Sequence, residues 1–152
     1  KGINYAATAV KIYREALDSY YQNPHTYHMM PYWQQELDKI TSRSYCSGFY
    51  FDDPDQIIPR YASPSLSKSI LLAKVLAPAG HRRAHIDVRN RIQCGDRIEI
   101  LTRHGPPVYD RILRITDDNA DPVQLAQPGQ RVTIDLSTDC RKLDLVRRAP
   151  DL

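Results

Sequence analysis

The sequence of 152 residues lacks a long apolar run and a leader-like N-terminal segment. Its longest mostly apolar stretch, SILLAKVLAPA, is interrupted by Lys74 and Pro78. A membrane helix needs roughly 20 apolar residues, so this stretch is too short to cross a bilayer. Lys1 is not followed by the apolar core and small-residue cleavage site of a signal peptide. We therefore expect a cytoplasmic protein without a membrane-spanning helix.

The chain also lacks any close pair of cysteines. Cys46, Cys94 and Cys140 are an odd number and lie far apart. Cysteine metal sites usually contain a C-x-x-C pair, because a short loop aims both thiolates at the ion. A thiol nucleophile needs a lowered pKa and a base within reach, yet Cys46 has only Arg43 nearby and no histidine. We predict reduced, partly buried thiols, no cofactor in this chain and no catalytic residue.

Histidine and carboxylate patterns are no more typical of a metal site. His81 and His85 lie in a strand-like stretch, where four residues separate them by about 13 Å. The DDNAD stretch from Asp117 to Asp121 lacks the glycine and closing glutamate of a calcium loop. Solvated histidines and turn aspartates are the interpretation we favour.

One cluster of basic residues stands out against a modest formal net charge of +3. Its candidate binding residues lie within ten positions, with Asp87 as the only acid among them: Arg82, Arg83, His85, Arg89 and Arg91. Strand alternation places all but Arg82 on one exposed face, where arginines bind phosphate in pairs of hydrogen bonds. This row predicts contact with RNA or another partner. The alternative is a solvated wall whose arginines pair with Asp87, Glu99 or Asp110.

The N-terminal part has the period of α-helices. Apolar residues recur every three or four positions and form one stripe: Ala6, Val10, Tyr13, Leu17 and Tyr20. Pro24 predicts the end of this helix, and Pro31 suits the first turn of a second one. In the second helix, Trp33, Leu37 and Ile40 share a face. The tyrosine-rich stripe needs a partner surface, and we expect that partner to be a domain upstream of Lys1.

From about Ser67 the pattern changes to short β-branched runs. Six of them are separated by turn sequences such as PAGH, CGD and QPGQ. Six strands in about 80 residues without helices between them favour a small, nearly closed β-barrel. The predicted fold class is therefore α+β, with a helical segment and linker over 1–66 and a small β-barrel over 67–152.

Two blocks resemble the C-terminal part of the U-type peptidase family thirty-two, the collagenase-like proteases. The first is E-L-x-K-x-[ST]-x-R-x-Y-x-x-G-F-Y-F, carried by Glu36, Leu37, Lys39, Thr41, Arg43, Tyr45, Gly48, Phe49, Tyr50 and Phe51. The second is R-N-[KR]-x-x-x-G-D-x-[IL]-E, carried by Arg89, Asn90, Arg91, Gly95, Asp96, Ile98 and Glu99. The resemblance extends along nearly the whole chain.

This resemblance implies a longer parent with an N-terminal catalytic α/β barrel, whose cysteines hold an iron–sulfur cluster in some relatives. It also implies a β-barrel similar to domain two of elongation-factor-type translation GTPases. Some members are called proteases, and others take part in hydroxylating RNA bases. We predict a non-catalytic accessory module whose partners are the missing catalytic barrel and structured RNA or a protein substrate. A working part of a protease and a purely structural or oligomerisation cap are the alternatives.

Overall fold

A computed structural model describes residues 2–40 and 69–150, beginning with two helices. Helix α1 spans Ile3–Gln22, a short 3-10 turn covers Pro24–Thr26, and helix α2 spans Pro31–Ile40. The prolines lie where the sequence predicted them, just after α1 and at the first position of α2. Both predicted helices are confirmed. The predicted boundary at 66/67 and the stretch containing Cys46 lie outside the described residues.

Ten short strands follow, and all of their pairings are antiparallel. They are β1 Leu71–Pro78, β2 Arg83–Val88, β3 Ile92–Gln93, β4 Arg97–Leu101, β5 Val108–Arg111, β6 Arg114–Thr116, β7 Pro122–Val123, β8 Leu125–Ala126, β9 Arg131–Asp135 and β10 Leu145–Arg148. Eight of them form one sheet in the order β5-β4-β10-β1-β2-β9-β6-β7, and β3 pairs with β8. The six predicted runs all contain strands, and the brief β3, β7 and β8 were not predicted.

The large sheet is curled. β5 is its first strand and β6 its seventh, yet only Ile112 and Leu113 join them. Both residues bond across this corner: the Ile112 N–H donates to Asp96 O at 3.0 Å and the Leu113 N–H to Asp135 O at 2.9 Å. A two-residue connection requires the ends of the sheet to approach each other. The α+β class is confirmed, but the sheet is a half-barrel whose ladder ends at β5 and β7. The likeness to an elongation-factor domain stays a prediction.

The core lies inside this curl. Ala84, Ile86 and Val88 of β2 are fully buried, as the alternation predicted. Ile134 of β9 and Ile115 of β6 face them from neighbouring strands. Burying a side chain of this size contributes about 1.5–3 kcal/mol, so the sheet has a hydrophobic core of its own.

Helix α1 docks through the face opposite its predicted apolar stripe. Its predicted apolar stripe remains exposed, with Val10 at 69% and Tyr13 at 64%. The buried residues of the helix are instead Thr8, Lys11 and Ile12. The reason is that α1 packs against the outer surface of the sheet, which is charged, so polar residues provide the matching contacts.

Candidate nucleic-acid interface

The predicted basic row on β2 is largely engaged with carboxylates of its own surface. Arg83 Nε lies 2.8 Å from Asp135 Oδ1, and Arg89 Nη2 lies 2.8 Å from Asp87 Oδ2. These pairs are partly exposed and stabilise the surface by about 1 kcal/mol at most. They match the alternative of a solvated, internally paired wall more closely than a row of free cations.

The other members of the row are separated from one another. His85 Nδ1 lies 2.8 Å from Thr133 Oγ1, and Thr133 is buried. Arg82 lies in the turn before β2 with φ of 55°, and its backbone N–H donates to Asp139 Oδ1 at 2.6 Å. Arg91 lies beyond the end of β2 and so does not continue its face.

Arg91 instead lines a groove at one end of the curled sheet. The groove has a volume of about 680 Å³, and Arg97 and Arg148 line it as well. We call it the arginine groove. Among the described residues, Asp96 is the only carboxylate in its lining, and it accepts the Gln93 N–H at 2.9 Å. Three arginines against one aspartate leave a positive surface, and within residues 2–40 and 69–150 none of the three forms an ion pair.

A fourth arginine adds charge beside the groove. Arg97 on β4 pairs in register with Arg111 on β5, and both are exposed. Residues directly opposite each other in antiparallel strands point to the same face, and like charges there are destabilising. Nothing in the described part of the fold offsets this repulsion with a carboxylate. A bound anion would offset it.

The sequence reasoning missed a ring of four charges between α2 and the sheet, in which Glu36, Glu99 and Arg147 are buried and Lys39 is partly exposed. Arg147 Nη2 lies 2.6 Å from Glu36 and 2.9 Å from Glu99. Lys39 Nζ lies 2.6 Å from the other oxygen of each carboxylate. Cations and anions therefore alternate around the ring, and hydrogen bonds from Lys39 to both glutamates raise its pKa although burial alone would lower it. Arg147 also donates to Thr8 of α1 at 3.4 Å.

Local sequence explains how each member reaches this ring. Glu36 and Lys39 are three apart on α2 and share a face, and Glu99 and Arg147 are directly opposite in the β4–β10 register. Arg147 is fully buried, whereas the neighbouring Arg148 is exposed. Glu36, Lys39 and Glu99 all occur in the two blocks that resemble the family, and these blocks were the one sequence signal that pointed to the ring.

A second polar contact fixes α1 to the loop between β4 and β5. The Gly105 N–H donates to Glu15 Oε1 at 2.8 Å, and Lys11 Nζ donates to Gly105 O at 2.5 Å. The Trp33 ring N–H and the Tyr32 hydroxyl also donate to Glu15. Burial lowers the pKa of Lys11, and burial together with the bond to Glu15 raises the pKa of Tyr32 to about 12. The bonds from Lys11 and to Glu15 therefore hold α1 against the β4–β5 loop.

The exposed side of the helices forms an apolar groove of about 430 Å³. Its lining combines the α1 stripe with the aromatic residues that follow: Ile12, Tyr13, Ala16, Leu17, Tyr20, Tyr27, Met29, Trp33, Gln34 and Leu37. Tyr27 stacks on Trp33 with ring centroids 6.4 Å apart. Exposed apolar patches of this kind often mark interaction surfaces, and a partner at this groove stays a prediction.

The described cysteines do not have the environment of nucleophiles. Cys140 is buried, and burial, with the charges of Asp144, Asp110 and Asp139 adding to it, raises its thiol pKa to about 12. His81 and Asp139 pair at 3.3 Å nearby, but both side chains are largely exposed. Cys94 is partly buried.

Within the described ranges, no group of three histidine, cysteine or acidic residues could hold a metal ion, so no donor set for an iron–sulfur cluster is found there.

Neither helix in the described ranges is long and apolar enough to traverse a lipid bilayer.

Two family models match the chain, and together they cover most of it. Residues 68–147 match the model described as the peptidase family U32 C-terminal domain. Residues 1–59 match the model described as peptidase family U32. The first match includes the whole curled sheet except its last residue, Arg148, and the second includes both helices.

Two relatives are similar to nearly the whole chain. One is "Uncharacterized protease MJ0090" of Methanocaldococcus jannaschii, 27% identical over 96% of this chain. The other is "tRNA hydroxylation protein P1" of Bacillus subtilis, 24% identical over 97% of this chain. The chain spans 37% of the length of the first relative and 36% of the second.

Among solved structures, the chain is similar to the C-terminal domain of a U32 peptidase of Geobacillus thermoleovorans. The two align with a TM-score of 0.48 and 19% sequence identity, and the alignment covers 57% of this chain and 99% of that domain.

Proposed function

Because the chain belongs to peptidase family U32, we propose that it is a non-catalytic accessory module that binds RNA and presents it to the catalytic part of a longer polypeptide. The observation that carries the proposal is the arginine groove. Arginine binds phosphate through two parallel hydrogen bonds, and phosphate contacts supply most of the affinity of sequence-independent RNA binding. One relative is named for tRNA hydroxylation, which supports RNA as the class of ligand.

The accessory role is supported by the apolar groove on the helices. The helices match the main U32 model, whereas the sheet matches the C-terminal model. The exposed aromatic surface therefore belongs to the part of the chain that shares its model with the family's main domain. We expect the rest of such a domain to cover this groove, while the arginine groove on the sheet stays open to RNA.

Binding of bulk transfer RNA tests the RNA proposal. We expect fluorescence anisotropy to give a dissociation constant near micromolar that weakens steeply with salt. Arg91→Ala and Arg148→Ala should each weaken binding and reduce the salt slope by about one. Arg114→Ala, an exposed arginine of β6 outside the groove, is the matched control.

Two outcomes would overturn this proposal. If no salt-sensitive binding is detected at micromolar protein, RNA is not the ligand. Binding that weakens on Arg83→Ala and Arg89→Ala but not on Arg148→Ala would move the interface to the row first predicted on β2.

The other relative's name favours a second function, a direct part in proteolysis. On the accessory proposal, the purified chain should not digest casein or collagen. Activity that survives removal of contaminants and disappears on Cys46→Ala would establish the protease function instead.

A further inference from the structure

A second basic cleft lies between α1 and two loops of the sheet. Its volume is about 660 Å³, and its basic lining comes from Lys11 and Arg14 of α1, Arg103 and His104 of the β4–β5 loop, and Lys142 before β10. We call it the α1 cleft. Val10 and Leu143 add exposed apolar surface to the same lining. Cations beside apolar surface suit a ligand with both an anionic and a flat or apolar part.

Several charged side chains of the α1 cleft already have a partner, and the remaining ones are cations. Arg14 pairs with Asp18 at 3.0 Å. The Asp144 carboxylate is buried and accepts the Arg141 N–H at 2.8 Å. The remaining fixed cations are Arg103 and Lys142, which form no ion pair within the described ranges. The cleft therefore has two cations in its lining that are available to an anion.

Both walls of the α1 cleft are held in place before any ligand arrives. The β4–β5 loop is fixed to α1 at Gly105 by Lys11 and Glu15. On the other wall the Leu143 N–H donates to Val75 O at 3.0 Å, which anchors the turn before β10 to β1. Preorganised sites lose less entropy on binding, so weak individual contacts contribute more to affinity.

The β4–β5 hairpin connects the α1 cleft with the arginine groove. Arg97 and Arg111 lie at its open end, and Arg103 lies in its closing loop. Between them Tyr109 is 59% exposed on the same face as Arg97 and Arg111. Six residue steps from Arg97 to Arg103 place the two ends at most about 20 Å apart. Cations at both ends and an exposed aromatic ring between them are the pattern of single-stranded nucleic acid sites.

We infer that the β4–β5 hairpin is a track for single-stranded RNA, running from the arginine groove past Tyr109 to a terminal phosphate site at Arg103 and Lys142. The inference rests on the proposed RNA-binding function and specifies the form of RNA and its path. One base stacks on Tyr109, and the backbone on either side contacts the two basic ends. A dinucleotide is too short to contact both ends, whereas a chain of about ten nucleotides reaches them easily.

Oligonucleotides of two lengths test the track in the intact chain. Anisotropy should show that Tyr109→Ala weakens binding of a ten-nucleotide single strand about fivefold or more, while Tyr109→Phe leaves it unchanged. The double variant Arg103→Ala, Lys142→Ala should weaken the same strand and reduce its salt slope, since two phosphate contacts are lost. Binding of a dinucleotide should be insensitive to that double variant. A duplex of the same sequence should bind more weakly than the single strand, because paired bases cannot stack on Tyr109.

The outcomes separate failure of the track from failure of RNA binding. If the unaltered chain binds neither RNA nor oligonucleotide, the proposed function fails. If it binds and Arg148→Ala weakens binding while the Tyr109 and double variants do not, the function stands and the track is wrong. Equal affinity for duplex and single strand would also overturn the track.

Discussion

Arg147 is the fully buried cation of the four-charge ring, and its neighbour on β10, Arg148, is exposed. Strand alternation puts the two side chains on opposite faces, and only the placement of α2 decides that Arg147 is buried. Its partners are 48 and 111 residues away in sequence, and no local pattern specifies contacts of that range.

Arg147→Met should lower the free energy of unfolding by about 3–5 kcal/mol, because it leaves two buried glutamates with Lys39 as their single shared cation. Urea denaturation measures the change. Arg148→Met, at the exposed neighbouring position, is the control and should change stability by less than about 0.5 kcal/mol. Equal effects of the two variants would contradict a buried role for Arg147.

Asp110 provides a pH-dependent contribution to stability. Burial alone would raise its pKa, but bonds from the Thr138 hydroxyl at 2.6 Å and from the N–H groups of Arg111, Ser137 and Thr138 bring the pKa below its ordinary value. Since the folded pKa is the lower one, the stabilisation is present above the unfolded pKa near 4 and is lost as pH falls through the folded value.

Asp110→Asn should therefore destabilise the protein at pH 7 and destabilise it less at about pH 2, because the stabilisation that the Asp110 carboxylate contributes is lost as pH falls through its lowered pKa. Urea midpoints at the two pH values measure the difference. Asp118→Asn, at an exposed turn, should change little at either pH. If Asp110→Asn lowers the free energy of unfolding as much at low pH as at pH 7, the hydrogen bonds at this position do not depend on the charge of Asp110.

At the scale of elements, periodicity predicted the helices and the apolar stripe of α1, but not the face through which α1 docks on the sheet. Within the described residues the stripe is exposed, as expected. The docking face was not predictable, because Thr8, Lys11 and Glu15 are ordinary solvent-side residues until a charged sheet surface lies opposite them. Strand alternation succeeded in β2 because one of its faces packs into an apolar core.

The β4–β5 pair should respond to Arg97→Glu in two opposite ways. Replacing one of two facing arginines creates an opposite-charge pair with Arg111, so the free energy of unfolding should rise by up to about 1 kcal/mol. RNA affinity should fall, because the groove loses a cation and gains an anion. Thermal unfolding and anisotropy on the same sample measure both. A variant that is less stable and binds RNA unchanged would contradict the role given to this pair.

At the scale of the whole molecule, the class and order of elements followed from the sequence, whereas the candidate site followed only in part. Of the five predicted binding residues, only Arg91 lines the arginine groove; Arg97, Arg111 and Arg148 were not predicted. The groove is assembled at one end of a curled sheet from separate segments, and strand patterns say which face a residue takes but not which ends of strands meet. Whether Arg82, Arg83, His85 and Arg89 bind a partner stays a prediction.

The whole chain should self-associate through its exposed helical face. Sedimentation velocity should show concentration-dependent dimers, since the apolar groove has no cover within the described residues. Leu17→Lys should restore a monomer. Leu113→Lys, at a similarly exposed leucine on the sheet, should not. A monomer at all concentrations would mean that this face is tolerated in water and would weaken the case for a covering domain.

The four-charge ring has a consequence for how the helices and the sheet recognise each other. α2 brings Glu36 and Lys39, the sheet brings Glu99 and Arg147, and each side is thus electrically neutral by itself. Two such dipoles attract over a much shorter distance than two opposite ions do. Attraction between the two parts therefore begins only when their surfaces nearly touch, which favours a partner of the right shape over any partner of the right charge.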